Sequence, residues 1–260
     1  MKDFDRFEKI RVRLDGHVAL VELCDPPHNF FSLELVGETA DAYEALDEVP
    51  ECRAIVLAAK GKSFSAGANF SVGGLRESER YKGHLYEHAV RLFRTKKPVV
   101  AAVHGAAIGG GLGLALAADF RVACPETRFS ANFARLGFHA GFGLTETLPR
   151  LVGPQQAAHL FYTGRRVKGA EAVALGLADV FVEKQEEVSD AALALAAEIA
   201  GSAPLAVQSM RATLREDLAE RVEAATVREA VEQAWLMKTE DTREGIRAYA
   251  ERRTPCFQCR

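Results

Sequence analysis

Apolar and polar positions alternate along residues 9–23: Ile10, Val12 and Leu14, then Gly16, then Val18, Leu20 and Leu23. This predicts a hairpin of two half-buried strands turning at Gly16. The period then changes, because Leu35, Thr39, Tyr43 and Leu46 recur at helical spacing behind Ser32, a residue suited to accept from a first-turn amide. Ala54 to Ala59 is a continuous apolar run, the pattern of a strand buried on both faces. Residues 77–94 look helical again, and Val99 to Val103 form a second buried strand. Gly109 to Gly111 mark a turn, Leu112 to Ala118 a helix start, and Phe120 to Ala123 a further strand. Residues 128–153 are mostly uncharged, and Gly137, Gly141 and Gly143 around His139 predict a folded loop and not a linker. Residues 167–182 predict a short helix and a last strand from Ala178 to Val182. Beyond Ser189 the pattern is helical to about Arg253, broken only at Gly201 to Pro204. Strands alternating with helices argue for an α/β core over residues 1–190 with parallel strands and right-handed crossovers. Residues 191–260 then read as a helical region used for oligomerisation.

The chemistry implied by this pattern is densest in the uncharged stretch from Pro98 to Ala118. It places three glycines at a helix N-terminus, where backbone N–H groups lack partners and carry partial positive charge. Glycine lets another group approach that backbone, so an anion or a developing oxyanion is the natural guest. Five glycines and His104 argue against a lipid-spanning helix in the same stretch. A dinucleotide fingerprint fails, because the last glycine of G-x-G-x-x-G would fall at Leu114 or Leu116.

Composition adds mainly exclusions. With 48% apolar and 27% charged residues the chain is an ordinary globular protein, and a formal charge of −3 recommends neither nucleic acid nor an anionic membrane. The charged start, Met-Lys-Asp-Phe-Asp-Arg, lacks the apolar stretch of a signal peptide, so a cytoplasmic protein is expected. Five scattered cysteines do not make a disulfide framework, and Cys256 and Cys259 lack the two further ligands a zinc site needs. Gly61-Lys-Ser is not a P-loop, since the required earlier glycine falls at Val56, and no nucleophile elbow surrounds Ser65, since the glycine it requires falls at Ser63. His84-Leu-Tyr-Glu-His88 matches H-x-x-E-H with both imidazoles on one helix face, but no third ligand is identifiable and no metal is expected. Small residues from Ser65 to Ala68 make a second place where amides can face a ligand.

Taken together, Ser63-Phe-Ser-Ala-Gly-Ala-Asn69, Lys97 to Gly111, Ala118-Asp-Phe-Arg121, Leu148 to Gly153 and Ala170 to Asp179 resemble the crotonase family, the enoyl-CoA hydratase/isomerase superfamily, in order and over nearly the whole chain. The resemblance implies a crotonase-like spiral of repeated ββα units with a helical C-terminal trimerisation region, assembling as a homotrimer or a dimer of trimers. It implies an acyl-CoA thioester as substrate, with no cofactor besides the coenzyme A that the substrate carries. By position, the amides of Ala68 and Gly110 are the family's oxyanion hole. Lys62, Ser65, Ala66 and Gly67 match its adenine-binding stretch, and Gly109 its glycine turn. His84, Tyr86 and His88 fall in the segment that often lines the acyl pocket, and Arg252 and Arg253 match basic positions that can reach a neighbour's coenzyme A.

The same resemblance exposes a departure. The family's two hydration glutamates fall at Gly113 and Phe133, and an aspartate used in its dienoyl-CoA isomerase branch falls at Gly141. None of these can transfer a proton. His139 is the first candidate to replace them, since an imidazole gives or takes a proton near neutral pH; Glu146 is the second and the group around His84 the third. The sequence therefore predicts enolate chemistry on an acyl-CoA without efficient two-glutamate hydration. It leaves open isomerisation, C–C hydrolysis or decarboxylation of a β-keto acyl-CoA, and acyl-CoA binding without chemistry.

Overall fold

A computed structural model describes residues 4–70, 78 and 80–260. Its first strands, β1 (Ile10–Asp15) and β2 (Val18–Leu23), form the expected antiparallel hairpin, with Gly16 at φ +54° in the turn. That left-handed backbone costs little only for glycine. β2 then pairs in parallel with β3 (Ala54–Ala59) and β3 with β4 (Val99–Val103). The sheet is completed in parallel by β6 (Phe120–Ala123) and β9 (Val180–Phe181), giving the order β1-β2-β3-β4-β6-β9.

Side chains alternate across a strand, so this sheet has two buried faces. Ile55, Leu57, Val99, Ala101 and Val103 point into the main core with helix α1 (Leu33–Asp47) and helix α2 (Leu85–Phe93). Ala54, Val56, Ala58, Val100 and Ala102 point the other way, onto Val188, Ala192, Ala196 and Ala200 of α8 (Val188–Ala200). Alanines four apart let that helix lie close to the strands. Ser32 caps α1 as expected, its Oγ accepting from Leu35 N at 3.1 Å.

A second, three-stranded sheet was not visible in the sequence pattern. It joins β5 (Ala106–Ile108) in parallel to β7 (Arg128–Ser130), and β7 antiparallel to β8 (Val167–Lys168). At two or three residues each, these strands are too short to show a period. Helix α3 (Gly110–Ala117) starts one residue inside the glycine turn and packs against β5, α2 and α5 (Leu144–Val152). The loop expected over 128–153 contains β7, α4 (Phe133–Leu136) and α5, followed by α6 (Pro154–Thr163). The helix expected from residue 77 begins only at Leu85, because His84 caps it; residues 77 and 79 of that expectation lie outside the described residues. The last strand shrinks to β9, preceded by α7 (Gly169–Ala174).

The C-terminal region is helical: α8, α9 (Pro204–Leu214), α10 (Leu218–Leu236) and α11 (Glu240–Ala250). α9 is pinned to the core by Asp119, whose carboxylate accepts from Arg211 Nε at 2.9 Å and from Arg215 Nη1 at 2.7 Å. Among the described residues no single helix is long and apolar enough to cross a membrane.

Candidate active site

The loop after β3 and the turn before α3 are held against each other by backbone bonds. Ser65 N donates to Ala106 O at 2.9 Å and Ile108 N to Ser65 O at 3.0 Å, so Ser65 bridges in parallel to Ala107. Ala66 N is taken by His28 O at 3.0 Å, Gly67 O by Phe31 N at 2.9 Å, and Gly109 N by Ser130 O at 2.9 Å. Two amides in this interlock, Ala68 N and Gly110 N, donate no hydrogen bond among the described residues. Gly110 is the first residue of α3 and has no intrahelical acceptor, and the helix carries neither a capping side chain nor an acidic residue in its first turn.

The approach of the two loops requires glycine at two points. Gly67 lies at φ +76°, and a Cβ there would stand 2.7 Å from Ile108 O and 4.0 Å from Gly110 N. A Cβ at Gly111 would collide with Ser65 O. Ala68 and Gly110 are both half-buried, so their amides sit at the edge of the core where a ligand can reach them. Ser65 itself is fully buried and its Oγ has no partner, which makes it a strut of the interlock. Lys62 is exposed beside it.

The positions that carry no carboxylate are occupied by aromatic rings. A Cβ at Gly113 would run into Cδ1 of Phe142, a fully buried residue at φ +65° whose ring meets Phe31 edge-on at 5.1 Å. A Cβ at Gly141 would collide with the Tyr86 hydroxyl, and Phe133 is itself a ring. Phe142 and Phe31 were missed in the sequence, which gives no signal for a phenylalanine in a left-handed turn.

His139 is half-buried on the wall of a cavity of about 940 Å³. Its Nδ1 lies 2.9 Å from Ala140 O, an atom that only accepts, so Nδ1 carries the proton and Nε2 keeps the lone pair when the ring is neutral. Its carbonyl accepts from Gln233 Nε2 at 2.8 Å, and Gln233 Oε1 accepts from the Tyr86 hydroxyl at 2.9 Å. Burial, reinforced by the charge of Glu229, pushes that hydroxyl above the ordinary phenol range, so it stays neutral. Glu229 is fully buried on α10 and supplies the cap that α5 lacks locally: it accepts from Gly143 N at 2.7 Å, Thr145 N at 3.0 Å and Thr145 Oγ1 at 2.7 Å. A carboxylate at a helix N-terminus is well placed.

The other candidates lie elsewhere or are committed. Glu146 pairs with Arg221 at 2.9 Å and is not on the cavity wall. His84 caps α2, its Nδ1 accepting from Tyr86 N at 3.2 Å while Glu87 reaches back to the His84 amide. His88 is held between Lys82 O at 3.0 Å and Arg91 Nη1 at 3.1 Å. Thus the H-x-x-E-H spacing serves a capping box, and no metal-binding group of three such side chains occurs among the described residues. Arg253 is drawn into pairs with Glu244 and Glu251.

Residues 13–260 match the family model for enoyl-CoA hydratase/isomerase. The chain is 32% identical over 256 residues to a crotonyl-CoA hydratase of Syntrophomonas wolfei, covering 96% of this chain and 98% of that one. It is 30% identical over 273 aligned positions to a peroxisomal Delta(3,5)-Delta(2,4)-dienoyl-CoA isomerase of Arabidopsis thaliana, covering 99% and 98%. Among solved structures, an enoyl-CoA hydratase/isomerase from Pseudoalteromonas atlantica superposes with a TM-score of 0.87 at 28% identity, covering 96% of this chain and all of that one.

Proposed function

The chain belongs to the enoyl-CoA hydratase/isomerase family and is an enzyme of that type acting on an acyl-CoA, and on this premise we propose that it moves a double bond along the acyl chain through a thioester enolate. The carbonyl oxygen lies between the amides of Ala68 and Gly110, and His139 carries the proton. The observation that carries this reading is the pair of uncommitted amides on two interlocked loops.

The chemistry balances with one proton carrier. His139 Nε2 takes a proton from the α-carbon of a 3-enoyl thioester, and the C–H electron pair flows into the carbonyl to make a dienolate whose oxygen is stabilised by two N–H donors. The imidazolium returns the proton to the γ-carbon, leaving a conjugated 2-enoyl thioester. No water or further cofactor is consumed. One such donor is worth about 3 kcal/mol of barrier in other oxyanion holes. Hydration needs a second group to activate water. Gly113 and Phe133 supply none, and the ring of Phe142 fills the space in front of Gly113.

Lys62, exposed beside the first loop, is assigned to the coenzyme A phosphates; Lys62→Ala should raise KM with kcat unchanged. Leu205, Leu214, Val227 and Val231 expose apolar surface on α9 and α10, and this supports assembly with further copies of the chain, as a homotrimer or a dimer of trimers.

A panel of 3-enoyl, 2-enoyl and β-keto acyl-CoAs, followed by the absorbance of the conjugated thioester and by mass, tests the reaction. The 3-enoyl thioester should isomerise, and His139→Ala should slow this at least a hundredfold. Hydration of crotonyl-CoA at a rate indifferent to His139, or cleavage of a β-keto substrate in preference, would replace isomerisation. Binding without turnover of any thioester would leave a binding protein.

A further inference from the structure

Cys256 and Cys259 form a C-x-x-C pair that the thioester chemistry leaves unused, and both thiols are exposed, whereas Cys52 and Cys124 are buried and Cys24 is half-buried. The pair sits on residues 254–260, which take neither helical nor strand conformation and run back along the first turns of α11. Two carboxylates of that helix hold the segment by its backbone. Glu244 Oε1 accepts from Cys256 N at 3.0 Å, and the Asp241 carboxylate accepts from Gln258 N at 2.6 Å and from Cys259 N at 2.8 Å. Asp241 N in turn donates to Arg260 O at 3.0 Å, and Arg260 Nε pairs with Glu240 at 3.0 Å. Hydrogen bonds to ionised acceptors are the stronger kind, so these contacts together make a latch.

The latched segment keeps the two thiols on different sides. Cys256 and Gln258 line a polar hollow of about 480 Å³ together with Arg243, Glu244 and Arg247. Phe257 and Cys259 line the apolar cavity of about 940 Å³ instead. Such alternation belongs to an extended chain, in which positions three apart are separated by about 10 Å. A disulfide needs its two Cα atoms within about 7 Å. Cys259 also keeps φ at +59°, a left-handed backbone that costs a non-glycine residue energy, so the latch is held against some strain. Two thiols that a turn would bring together are thus held apart by two carboxylates.

We infer that Cys256 and Cys259 are a site of thiol–disulfide exchange with small-molecule disulfides, and that closing a bond between them unlatches residues 254–260 from α11. The Cys256 thiolate, on the polar side, attacks one sulfur of a disulfide RSSR, giving a mixed disulfide and releasing RS⁻. The Cys259 thiolate then attacks Cys256 Sγ and expels the second RS⁻. The two cysteines lose two electrons and two protons, and RSSR gains both as two RSH. Gln258 Nε2, which donates to Cys256 Sγ at 3.5 Å, holds the first sulfur in place on the hollow. Bringing the two sulfurs together curls the segment, so the amides of Cys256, Gln258 and Cys259 leave Glu244 and Asp241. Latch and disulfide therefore exclude each other, and whatever strengthens one lowers the share of the other. A bond formed against such a latch is of the readily reduced kind.

The test equilibrates the full chain with reduced and oxidised glutathione over a range of ratios, maps the products by peptide mass and follows amide hydrogen exchange. The peptide of residues 254–260 should become lighter by its two thiol hydrogens. Exchange at Gln258 N and Cys259 N should then rise by roughly tenfold or more, the loss of a hydrogen bond to a charged acceptor. Excess dithiothreitol should restore both. Asp241→Asn, which weakens the latch, should raise the equilibrium constant for the disulfide by roughly tenfold. Glutathione held separately on Cys256 and Cys259 overturns the inference, as does a disulfide joining two copies of the chain. So does an internal disulfide that leaves exchange at these amides unchanged, or an equilibrium constant that is the same in folded Asp241→Asn. The first three outcomes are read on the wild-type chain, so the inference stays falsifiable if Asp241→Asn fails to fold.

Discussion

At Gly113 the missing carboxylate is a matter of space as much as of chemistry. The ring of Phe142 occupies the volume a side chain would enter. Gly113→Glu should therefore lower stability by about 1–3 kcal/mol, the usual range for overpacking a core, and should not create hydratase activity. Urea unfolding and a crotonyl-CoA assay check the two halves. A stable variant that hydrates crotonyl-CoA would mean that Phe142 yields and that the glycine alone silences hydration. The cysteines differ just as sharply by site. Burial pushes the Cys52 thiol up to about 11, whereas Cys256 and Cys259 are exposed. The thiolate is the reactive form, so a thiol reagent at pH 8 should label Cys256 and Cys259 at once and Cys52 only after unfolding. Prompt labelling of Cys52 would show that the α1 end of the main core opens readily.

Among the elements, those set by local signals were legible in the sequence. The β1–β2 hairpin, the Ser32 cap and the β4 strand with its glycine turn and α3 all declare themselves within a few residues. What escaped is set by distant partners: β5 exists through β7 and the Ser65 bridge, and α5 is capped by Glu229, 86 residues beyond Gly143. The same division runs through the site. The two small-residue loops could be picked out one by one, and their interlock could not. Phe142 fills its space through a backbone conformation that no residue pattern announces. The Glu229 cap carries a prediction of its own. Glu229→Ala leaves the buried Gly143 amide and the Thr145 amide without an acceptor and should cost about 3 kcal/mol. Hydrogen exchange should rise at Gly143 and Thr145 before it rises in β4. Unchanged exchange there would mean that the cap is not what orders the segment carrying His139.

For the whole molecule, the tie between α9 and the core runs through one carboxylate. Burial pushes the Asp119 carboxyl up, but Arg211 and Arg215 pull it down further, and it settles below the ordinary carboxylate range. A group whose folded pKa is depressed adds stability above its unfolded pKa of about 4, and that stability is lost as pH falls through the folded value. Unfolding free energy should therefore decline on acidification below about pH 4, and Asp119→Asn should remove that share of the decline while lowering stability at neutral pH. An acid profile identical in the variant would assign the decline to other carboxylates. The measurement that bears most directly on the central claim is a crystal structure of the protein with an unreactive acyl-CoA. The account predicts one thioester oxygen about 2.7–3.1 Å from both Ala68 N and Gly110 N. A thioester bound elsewhere, or an oxygen in reach of only one of the two amides, would contradict it.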